Sequence, residues 1–376
     1  FFFGAISVMA DDTMFDVYDP PPEETPEQKA AHRDDCLRSI AEGGETLDLR
    51  GKQIGVCGHV REIADALASS GAVAINLSDN ELMDDDAAAL VTALRRPLEL
   101  SISQNSVGLD GAINLTSALS KVHGLTKLDL SANQIENDVM SSLLQALQPF
   151  PLVSLNMSNN TLGSEGASAL AAHIKANPHF PLQSLDLSFN GIGDDGAHAI
   201  IEALNKQPYS CLAELDLSYN GITAAGVEGI TDLVKETPGI ICLNVMDDGL
   251  DATVTETLNH KLQSHKALQP PKVQLNSCTH DTAKVTVVVE SKTMKLCSAH
   301  VECFGESAWN SVWELRAKGG CMPSGCCSFQ CNVMGLRADA CYAIRMRVRY
   351  VNGTACSPIL VFNTAPQPQS PKVADS

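Results

Sequence analysis

One segment of this chain recurs four times almost unchanged. Eleven residues that begin at Leu125 read LTKLDLSANQI, and closely related segments begin at Leu152, Leu182 and Leu212. Weaker copies align on the same frame, and the residues at the asparagine position are Lys52, Asn80, Asn105, Asn133, Asn160, Asn190, Asn220 and Asp248. These positions are 25 to 30 residues apart. A period of this length predicts a solenoid in which each repeat packs on its neighbours.

Each copy predicts one strand and one helix. In L-x-L the two leucines lie on one face of a strand and the middle residue on the other, so Leu185 and Leu187 are expected in the core and Asp186 outside it. The asparagine can bond backbone groups where the chain leaves the strand. A stretch with helical spacing of apolar residues follows, such as GAHAIIEAL from Gly196. We expect the strands to form a parallel sheet on the inside of an arc.

The consensus L-x-x-L-x-L-S-x-N resembles that of leucine-rich repeat proteins of the ribonuclease-inhibitor type, whose repeats run to about 28 residues and include a full helix. The resemblance covers roughly residues 40–265 and implies an α/β leucine-rich repeat solenoid of about eight strand–helix repeats. Proteins of this family mostly bind other proteins on the concave sheet. A few activate small GTPases or form the sensor ends of nucleotide-binding immune receptors.

The activator role can be checked against the sequence. No G-x-x-x-x-G-K-[ST] phosphate loop is present, which argues against a nucleotide switch within this sequence. GTPase activators that resemble this fold place a working arginine in an early loop, but the stretch LELSISQNSVG from Leu98 has none. Arg50 and Arg61 are the other early candidates, and both are expected to be solvated surface residues. The activator role stays open as an alternative that rests on fold analogy.

A second domain follows the repeats. The repeat pattern ends near Leu268, and we expect residues 263–272 to be a linker because two prolines interrupt any helix there. Downstream the hydrophobic period changes from 3.6 to 2. Short strands of an all-β, immunoglobulin-like sandwich are predicted from Lys284, Lys295, Cys327, Cys341 and Ile359.

This second domain resembles a fibronectin type III domain. The resemblance rests on Leu336 followed by Tyr342, which would be the corner tyrosine near the start of the sixth strand. The second strand departs from the pattern, because it has Val285, Val287 and Val289 where such domains usually carry a tryptophan.

Composition divides the chain into four parts. Residues 1–35 contain nine acidic and two basic residues and four prolines, and they are expected to form a disordered leader. The repeat domain is assigned to residues 36–268 and the fibronectin type III-like domain to residues 269–366. Residues 367–376 are expected to be a disordered tail. No stretch is long and apolar enough for a transmembrane helix.

The cellular location has two interpretations. The opening FFFGAISVMA is apolar, and Val8 and Ala10 satisfy the small-residue rule for a signal-peptidase site, but no basic residue precedes them. The segment is either the remnant of a signal peptide, as in a secreted or receptor ectodomain, or sequence that precedes a start at Met9. Glycans on the sequon residues Asn76 and Asn156 would cover the binding face in a secretory route, so we favour the cytoplasm.

Nine of the thirteen cysteines lie after residue 270. Four of them form a cluster whose spacing matches neither paired C-x-x-C motifs nor a common zinc finger: Cys321, Cys326, Cys327 and Cys331. A second interpretation is that inward-facing cysteines pack as small apolar residues at alternating strand positions: Cys297, Cys303 and Cys331. We favour packing and predict no metal and no cofactor.

Charge is unevenly distributed along the chain. Lys and Arg minus Asp and Glu gives 2 − 9 = −7 for residues 1–35, 13 − 29 = −16 for residues 36–269 and 11 − 7 = +4 for the remainder. An acidic repeat domain repels nucleic acid and anionic membranes and favours basic partners. We therefore expect a protein partner with a basic surface.

Alternation also predicts which residues line the concave face. The middle residues of successive strands are Asp48, Asn76, Ser101, Asp129, Asn156, Asp186, Asp216 and Asn244. The residues just before the asparagine position are Gly51, Asp79, Gln104, Ala132, Asn159, Phe189, Tyr219 and Asp247. Since adjacent strands are about 4.8 Å apart, the rings of Phe189 and Tyr219 should lie side by side.

We define an acidic-aromatic patch by the residues Asp129, Asp186, Phe189, Glu214, Asp216 and Tyr219. A Lys or Arg of a partner would relieve repulsion between the carboxylates and gain a cation–π contact of about 0.5 to 2 kcal/mol. The alternative is that the rings only shield the turn and that the carboxylates are solvated.

A secondary basic surface is predicted on one strand of the second domain, where Arg345, Arg347 and Arg349 alternate with apolar residues. It would bind an acidic partner, dock on the repeats or pair with Glu302 on a neighbouring strand. No catalytic motif is found among the ten histidines or around the serines and cysteines. The sequence therefore predicts a non-enzymatic interaction module or scaffold.

Overall fold

A computed structural model describes residues 24–94, 97–122, 124–177, 182–206, 212–234, 242–246, 250, 253, 258, 272–291, 296–305, 308–316, 325–334, 336–337, 341–350, 353–356 and 360–365. Some side chains in the C-terminal strands lie outside the described set. The described residues form a parallel sheet with helices, followed along the chain by two antiparallel sheets. No helix in these ranges is both long and apolar enough to cross a membrane.

The parallel sheet contains eight short strands that pair in sequence order. They are β1 (Thr46–Asp48), β2 (Ala74–Asn76), β3 (Glu99–Ser101), β4 (Lys127–Asp129), β5 (Ser154–Asn156), β6 (Ser184–Asp186), β7 (Glu214–Asp216) and β8 (Cys242–Asn244). The register places equivalent residues of successive repeats side by side, as with Leu155, Leu185 and Leu215. The predicted α/β repeat solenoid is confirmed.

Helix α1 (Pro26–Glu42) precedes the first repeat. Its start is a capping box, in which the Thr25 hydroxyl accepts from the Gln28 N–H at 3.2 Å and the Gln28 side chain accepts from the Thr25 N–H at 2.8 Å. A proline at the first helical position favours the same start.

Residues 26–35 were expected to be disordered as part of the acidic leader, and that expectation is wrong for this segment. Cys36 and Ile40 lie one turn apart on α1, and both are buried in the core of the repeats. Composition missed the helix because the cap and these two residues, rather than average polarity, decide whether the segment is ordered.

Helices alternate with the strands through the rest of the solenoid. They are α2 (Ile54–Cys57), α3 (Val60–Ser70), α4 (Asp84–Ala93), α5 (Leu109–Leu119), α6 (Met140–Leu147) after a 3-10 turn at Asn137–Val139, α7 (Gly163–Ala176), α8 (Gly193–Asn205) and α9 (Ala224–Val234). Helical residues such as Leu170 and Ile200 join the strand leucines in one continuous core. Each such buried side chain contributes roughly 1.5–3 kcal/mol of hydrophobic stabilisation.

The repeat asparagines connect neighbouring turns, as predicted. Asn220 is buried, and its Nδ2 donates to the carbonyl oxygens of Leu187 and Leu217, each at 2.9 Å. Its Oδ1 accepts from the N–H of Asn190 at 2.9 Å, one repeat earlier. Comparable bonds are made by Asn80, Asn105, Asn133, Asn160 and Asn190. This ladder satisfies backbone groups that would otherwise be buried without partners.

The C-terminal part is built from antiparallel strands. They are β9 (Lys272–Cys278), β10 (Thr282–Ser291), β11 (Leu296–Gly305), β12 (Ala308–Arg316), β13 (Gly325–Met334), β14 (Cys341–Tyr350), β15 (Gly353–Cys356) and β16 (Leu360–Asn363). One sheet has the order β13-β10-β9 and the other β12-β11-β14-β15, with β16 also pairing with β14. Val285 and Val333 from the first sheet share a core with Val301 and Ile344 from the second.

The five strand segments expected from the sequence are present, but β9, β12 and β15 were missed. Strand β9 begins at Lys272, at the end of the segment expected to be the linker, and the remainder of that segment lies outside the described residues. Strand β15 has only four residues, GTAC, with no alternating apolar pattern. A register shift between Val301 and Glu302 accompanies the pairing of β12 with β11.

Tyr342 makes the corner that the sequence predicts. Its hydroxyl accepts a hydrogen bond from the N–H of Arg337 at 2.8 Å, and its ring centroid lies 6.1 Å from that of Phe362. Tyr342 lies near the start of β14, the sixth strand of this part of the chain. The bond connects the start of β14 to Arg337, which precedes it in the chain.

Two of the three cysteines predicted to pack inward do so. Cys303 and Cys331 are buried in the C-terminal core. Burial raises the pKa of the Cys303 thiol to about 12. The side chains of Cys297, Cys326 and Cys327, and all of Cys321, lie outside the described part of the structure.

Candidate functional site

The exposed side chains of the parallel sheet form rows across the concave face. Asp186 pairs in register with Asn156 on one side and with Asp216 on the other. The complete middle row is Asp48, Asn76, Ser101, Asp129, Asn156, Asp186, Asp216 and Asn244, as alternation predicts.

Every residue of this middle row also has a structural bond. A side-chain oxygen of each one accepts from the backbone N–H two residues later, as at Asp216, whose Oδ1 accepts from the Ser218 N–H at 2.8 Å and hydroxyl at 2.6 Å. Sequence reasoning missed this bond. The signal was present, because only Asp, Asn and Ser, whose short polar side chains can bond backbone nearby, occupy the row.

The residue before each repeat asparagine has a left-handed backbone. Six non-glycine residues with φ between 51° and 58° occupy this position: Asp79, Gln104, Ala132, Asn159, Phe189 and Tyr219. The left-handed region costs a non-glycine residue roughly 1–2 kcal/mol, and short polar residues tolerate it best. The large rings of Phe189 and Tyr219 are therefore unusual occupants of this position.

The two rings stack on each other, which confirms that they lie side by side. The centroids of Phe189 and Tyr219 are 4.3 Å apart, with 17° between the ring planes. Phe189 is 52% exposed. Backbone bonds hold the pair in place, since the Phe189 N–H donates to Ser218 O at 3.0 Å and the Tyr219 N–H donates to Met246 O at 2.8 Å. Met246 is itself exposed, so the apolar surface continues to the next repeat.

Five of the six residues of the acidic-aromatic patch lie on two adjacent repeats. Asp186 and Phe189 belong to the β6 repeat, while Glu214, Asp216 and Tyr219 belong to the β7 repeat. Asp129 lies on β4, two strands from Asp186, which is a distance of about 10 Å at ordinary strand spacing. The structure therefore groups five of the residues and leaves Asp129 apart.

Negative charge dominates this group. Asp186, Glu214 and Asp216 carry three carboxylates, and residues 182–192, 212–222 and 242–246 contain no Lys or Arg. The Asp216 Oδ2 atom accepts from Asn244 Nδ2 at 2.9 Å. Two carboxylates at strand spacing repel by about 1 kcal/mol even at the dielectric constant of water. A cation placed among them would remove this repulsion.

A groove over β1 to β5 was not predicted. Its volume is about 610 Å³, and it includes two basic residues, Arg50 and Lys127. Arg50 Nη2 donates to Gln104 Oε1 at 3.0 Å, and Lys127 Nζ lies 2.7 Å from Glu99 Oε1. A groove of this kind depends on the curvature of the sheet, which residue identities at single positions do not reveal.

The prediction that Arg345 belongs to an exposed basic surface is wrong. This side chain is fully buried, and its Nε donates to the buried Glu302 Oε2 at 2.8 Å across the β11–β14 pair. The pairing with Glu302 was one of the three alternatives for this strand. The side chains of Arg347 and Arg349 lie outside the described set.

The similarity to known proteins falls on the repeats. The family model for the leucine-rich repeat matches residues 149–171, 179–200 and 210–230. These residues carry leucine-rich repeats. Domains built from such repeats generally mediate protein–protein interaction and are typically non-enzymatic. The human NACHT, LRR and PYD domains-containing protein 13 is 34% identical over 94 residues, which is 24% of this chain and 9% of that protein.

Two solved structures resemble parts of this chain. Leiomodin-1 actin-binding site 2 is 22% identical, with a TM-score of 0.34, over 42% of this chain and 88% of that one. The fibronectin type III domain of human fibronectin type III domain containing protein 3 is 16% identical, with a TM-score of 0.22, over 27% of this chain and 93% of that one.

Proposed function

We propose that the acidic-aromatic patch of this chain binds a protein partner that presents a basic surface. The chain acts as a non-enzymatic module and uses no cofactor. The observation that carries the proposal is the exposed stack of Phe189 and Tyr219, placed at left-handed positions among three carboxylates. Exposed aromatic side chains that a rigid scaffold holds in place are frequent anchors of protein interfaces.

The charge of the repeats supports a basic partner. Residues 36–269 carry a formal charge of 13 − 29 = −16, so they attract a basic protein over distances near the Debye length. Such attraction raises the association rate and weakens as salt is added. The stacked rings then supply a contact that salt does not screen. Binding at the acidic-aromatic patch is therefore distinguished from attraction by the net charge of the domain, which salt weakens.

We further propose that the repeats are of the ribonuclease-inhibitor type and that the C-terminal part is a fibronectin type III-like domain. The first proposal rests on repeats that include helices as long as α7 and α8. The second rests on two antiparallel sheets of three and five strands that share one core and on the corner bond of Tyr342.

We propose the cytoplasm as the location. Among the described cysteines, Cys36, Cys57, Cys242 and Cys331 are free thiols, as expected for a reducing compartment. Asn76, which occupies a glycosylation sequon, donates its Nδ2 to Asp48 Oδ1 at 3.0 Å. A glycan attached to that nitrogen would compete with this bond.

A small-GTPase activator is the second candidate, because Arg50 is exposed at the groove over β1 to β5. Arg50 bonds Gln104, and no carboxylate lies within 4 Å of its guanidinium among the described residues. An activator would raise the rate of GTP hydrolysis by a captured GTPase, and Arg50→Ala would abolish that increase. If the wild-type chain does not change the hydrolysis rate, the activator role is excluded and the non-enzymatic interaction module remains.

Affinity purification of the full chain tests the main proposal. The patch variant carries Asp186→Asn, Asp216→Asn and Phe189→Asn. The matched control carries Asp110→Asn and Asp138→Asn on exposed helix positions and Ala132→Asn at the left-handed position of another repeat. Both variants remove two charges and place one asparagine at a left-handed position.

We expect a partner with a basic surface to be retained by the wild type and the control and lost with the patch variant. Retention by the patch variant, with all three proteins folded by circular dichroism, would refute the proposal.

A further inference from the structure

The aromatic stack runs along the ladder of repeats. Its centroid separation of 4.3 Å is close to the strand spacing of about 4.8 Å, so Phe189 and Tyr219 cover one face of each other. One step beyond Phe189, on the β5 repeat, Asn159 occupies the same left-handed position with an exposed side chain. The outer face of Phe189 is thus next to a small polar residue rather than a third ring.

A flat cation fits this position better than a compact one. The guanidinium of arginine is planar, stacks on aromatic faces and directs its N–H donors outward in its own plane. The ammonium of lysine has the same charge, but it is strongly hydrated and has no plane to stack. Both carry one positive charge, so a preference between them reports the planar shape of the guanidinium rather than the charge, and a variant of the ring separates stacking from hydrogen bonding.

Acceptors for such donors lie nearby, and the Asp186 carboxylate is already fixed. The Asp186 carboxylate is held through Oδ1 by Ser188, and no described residue hydrogen-bonds its Oδ2. Asn159 presents a side-chain amide whose oxygen accepts hydrogen bonds. Groups that are already immobilised lose little conformational entropy when they bind.

Backbone strain indicates that the ring has a role outside the fold. Phe189 has φ 55° and is half exposed, while the same position in other repeats is occupied by Asp79 and Asn159, which adopt this conformation more readily. Strained positions that burial does not explain are concentrated at binding sites.

We infer that the outer face of Phe189, between Asn159 and Asp186, is an arginine site, and that the partner inserts an arginine there. The inference rests on the proposed function and narrows the basic partner to one that presents arginine. Lysine at the same position has the same charge but no plane that stacks on the ring.

Three labelled peptides of equal length test this site by fluorescence anisotropy with the full chain. Oligo-arginine has both charge and plane, oligo-lysine has charge only, and oligo-citrulline has the plane only. We expect oligo-arginine to bind about three- to tenfold more tightly than oligo-lysine, and oligo-citrulline to bind more weakly than either. At a fixed salt concentration the long-range attraction is the same for the two charged peptides.

Variants test whether the preference for oligo-arginine over oligo-lysine depends on the Phe189 ring. Phe189→Asn should reduce the arginine-to-lysine ratio to about one with little effect on oligo-lysine binding, because it keeps every charge. Ala132→Asn, at the same backbone position two repeats away, should leave both affinities unchanged. Tyr219→Phe should also retain the preference, because it keeps the stack.

Equal binding of oligo-arginine and oligo-lysine by the wild type would refute the arginine site but would not refute the proposed function. An arginine-to-lysine affinity ratio that stays unchanged in Phe189→Asn would also refute the arginine site. If Asp186→Asn with Asp216→Asn bound both peptides as tightly as the wild type, the proposed function and the arginine site would fail together. Circular dichroism and urea unfolding of each variant confirm that the fold is retained.

Discussion

The Oδ1 atom of Asp186 accepts hydrogen bonds from both the backbone N–H and the hydroxyl of Ser188, at 2.9 and 2.8 Å. The carboxylate that we propose to meet a partner is therefore also a structural group at the end of β6. Asp216 has the same arrangement with Ser218. A substitution that removes the oxygen would confuse loss of binding with loss of structure. Asparagine, which occupies this row in other repeats, removes only the charge.

Asp186→Asn with Asp216→Asn is expected to preserve stability and to weaken binding of a basic partner. The asparagine oxygen can accept the same bonds, so the free energy of unfolding should change by less than about 0.5 kcal/mol. The corresponding alanines leave two backbone N–H groups without this acceptor and should cost about 1 kcal/mol each. Urea unfolding measures whether the asparagine variant is more stable than the alanine variant. Equal losses for asparagine and alanine would contradict the structural role of the oxygen.

Phe189→Asn is expected to change stability only slightly. Relief of the left-handed backbone gains roughly 1–2 kcal/mol, while loss of the stack with Tyr219 costs about 0.5–1.5 kcal/mol in addition to half-buried surface. The two effects nearly cancel. A buried phenylalanine would instead cost roughly 3–5 kcal/mol. A loss of that size on urea unfolding would show that the ring belongs to the core and not to a binding site.

The sequence predicted those features that depend on alternation and period. Strand faces, the middle row and the neighbouring rings follow from the position of Leu185 and its equivalents, because burial repeats with the strand. The left-handed backbone at Phe189 and the bond from Asp186 to Ser188 were missed, because they depend on backbone angles. The groove depends on curvature. Arg345 was misplaced because alternation assumes that one face of β14 is solvated, and both faces are buried there.

Asn190→Ala should destabilise the solenoid by about 3 kcal/mol or more. Its Nδ2 donates to the carbonyls of Met157, Leu187 and Ser188 at 2.9 to 3.0 Å. The substitution removes these three hydrogen bonds, each worth about 0.5–1.5 kcal/mol, although every one of the three carbonyls keeps a second donor. The control is Asn114→Ala at an exposed position of α5. The Asn114 side chain bonds only the exposed Asp85, so the expected change is below about 0.5 kcal/mol. Similar losses for both variants in urea would exclude the ladder as a source of stability.

Breaking the Glu302–Arg345 pair on one side should be costlier than replacing it completely. Glu302→Leu leaves a buried guanidinium without its carboxylate and should cost about 3–5 kcal/mol. Glu302→Leu with Arg345→Met leaves no buried charge and should recover much of that loss. Tryptophan fluorescence follows the C-terminal part, because Trp309 and Trp313 lie on β12. A double variant less stable than the single one would contradict this ranking.

The buried thiols should resist alkylation until the protein unfolds. Burial raises the pKa of Cys36 to about 11 and that of Cys303 to about 12, so at pH 8 their thiolate fractions are about one in a thousand and one in ten thousand. Cys242 is exposed. Pulse labelling with iodoacetamide and mass spectrometry should therefore modify Cys242 before Cys36 and Cys303. Early modification of Cys303 would place it outside the core.

Carboxyl footprinting of the purified partner complex tests the central claim most directly. Carbodiimide coupling followed by mass spectrometry measures the access of reagent to each carboxylate with and without the partner. We predict that labelling of Asp186, Glu214 and Asp216 falls in the complex, while the exposed Asp195 at the start of α8 is labelled as before. Unchanged labelling of the three patch carboxylates, with protection elsewhere, would show that the partner binds a different surface.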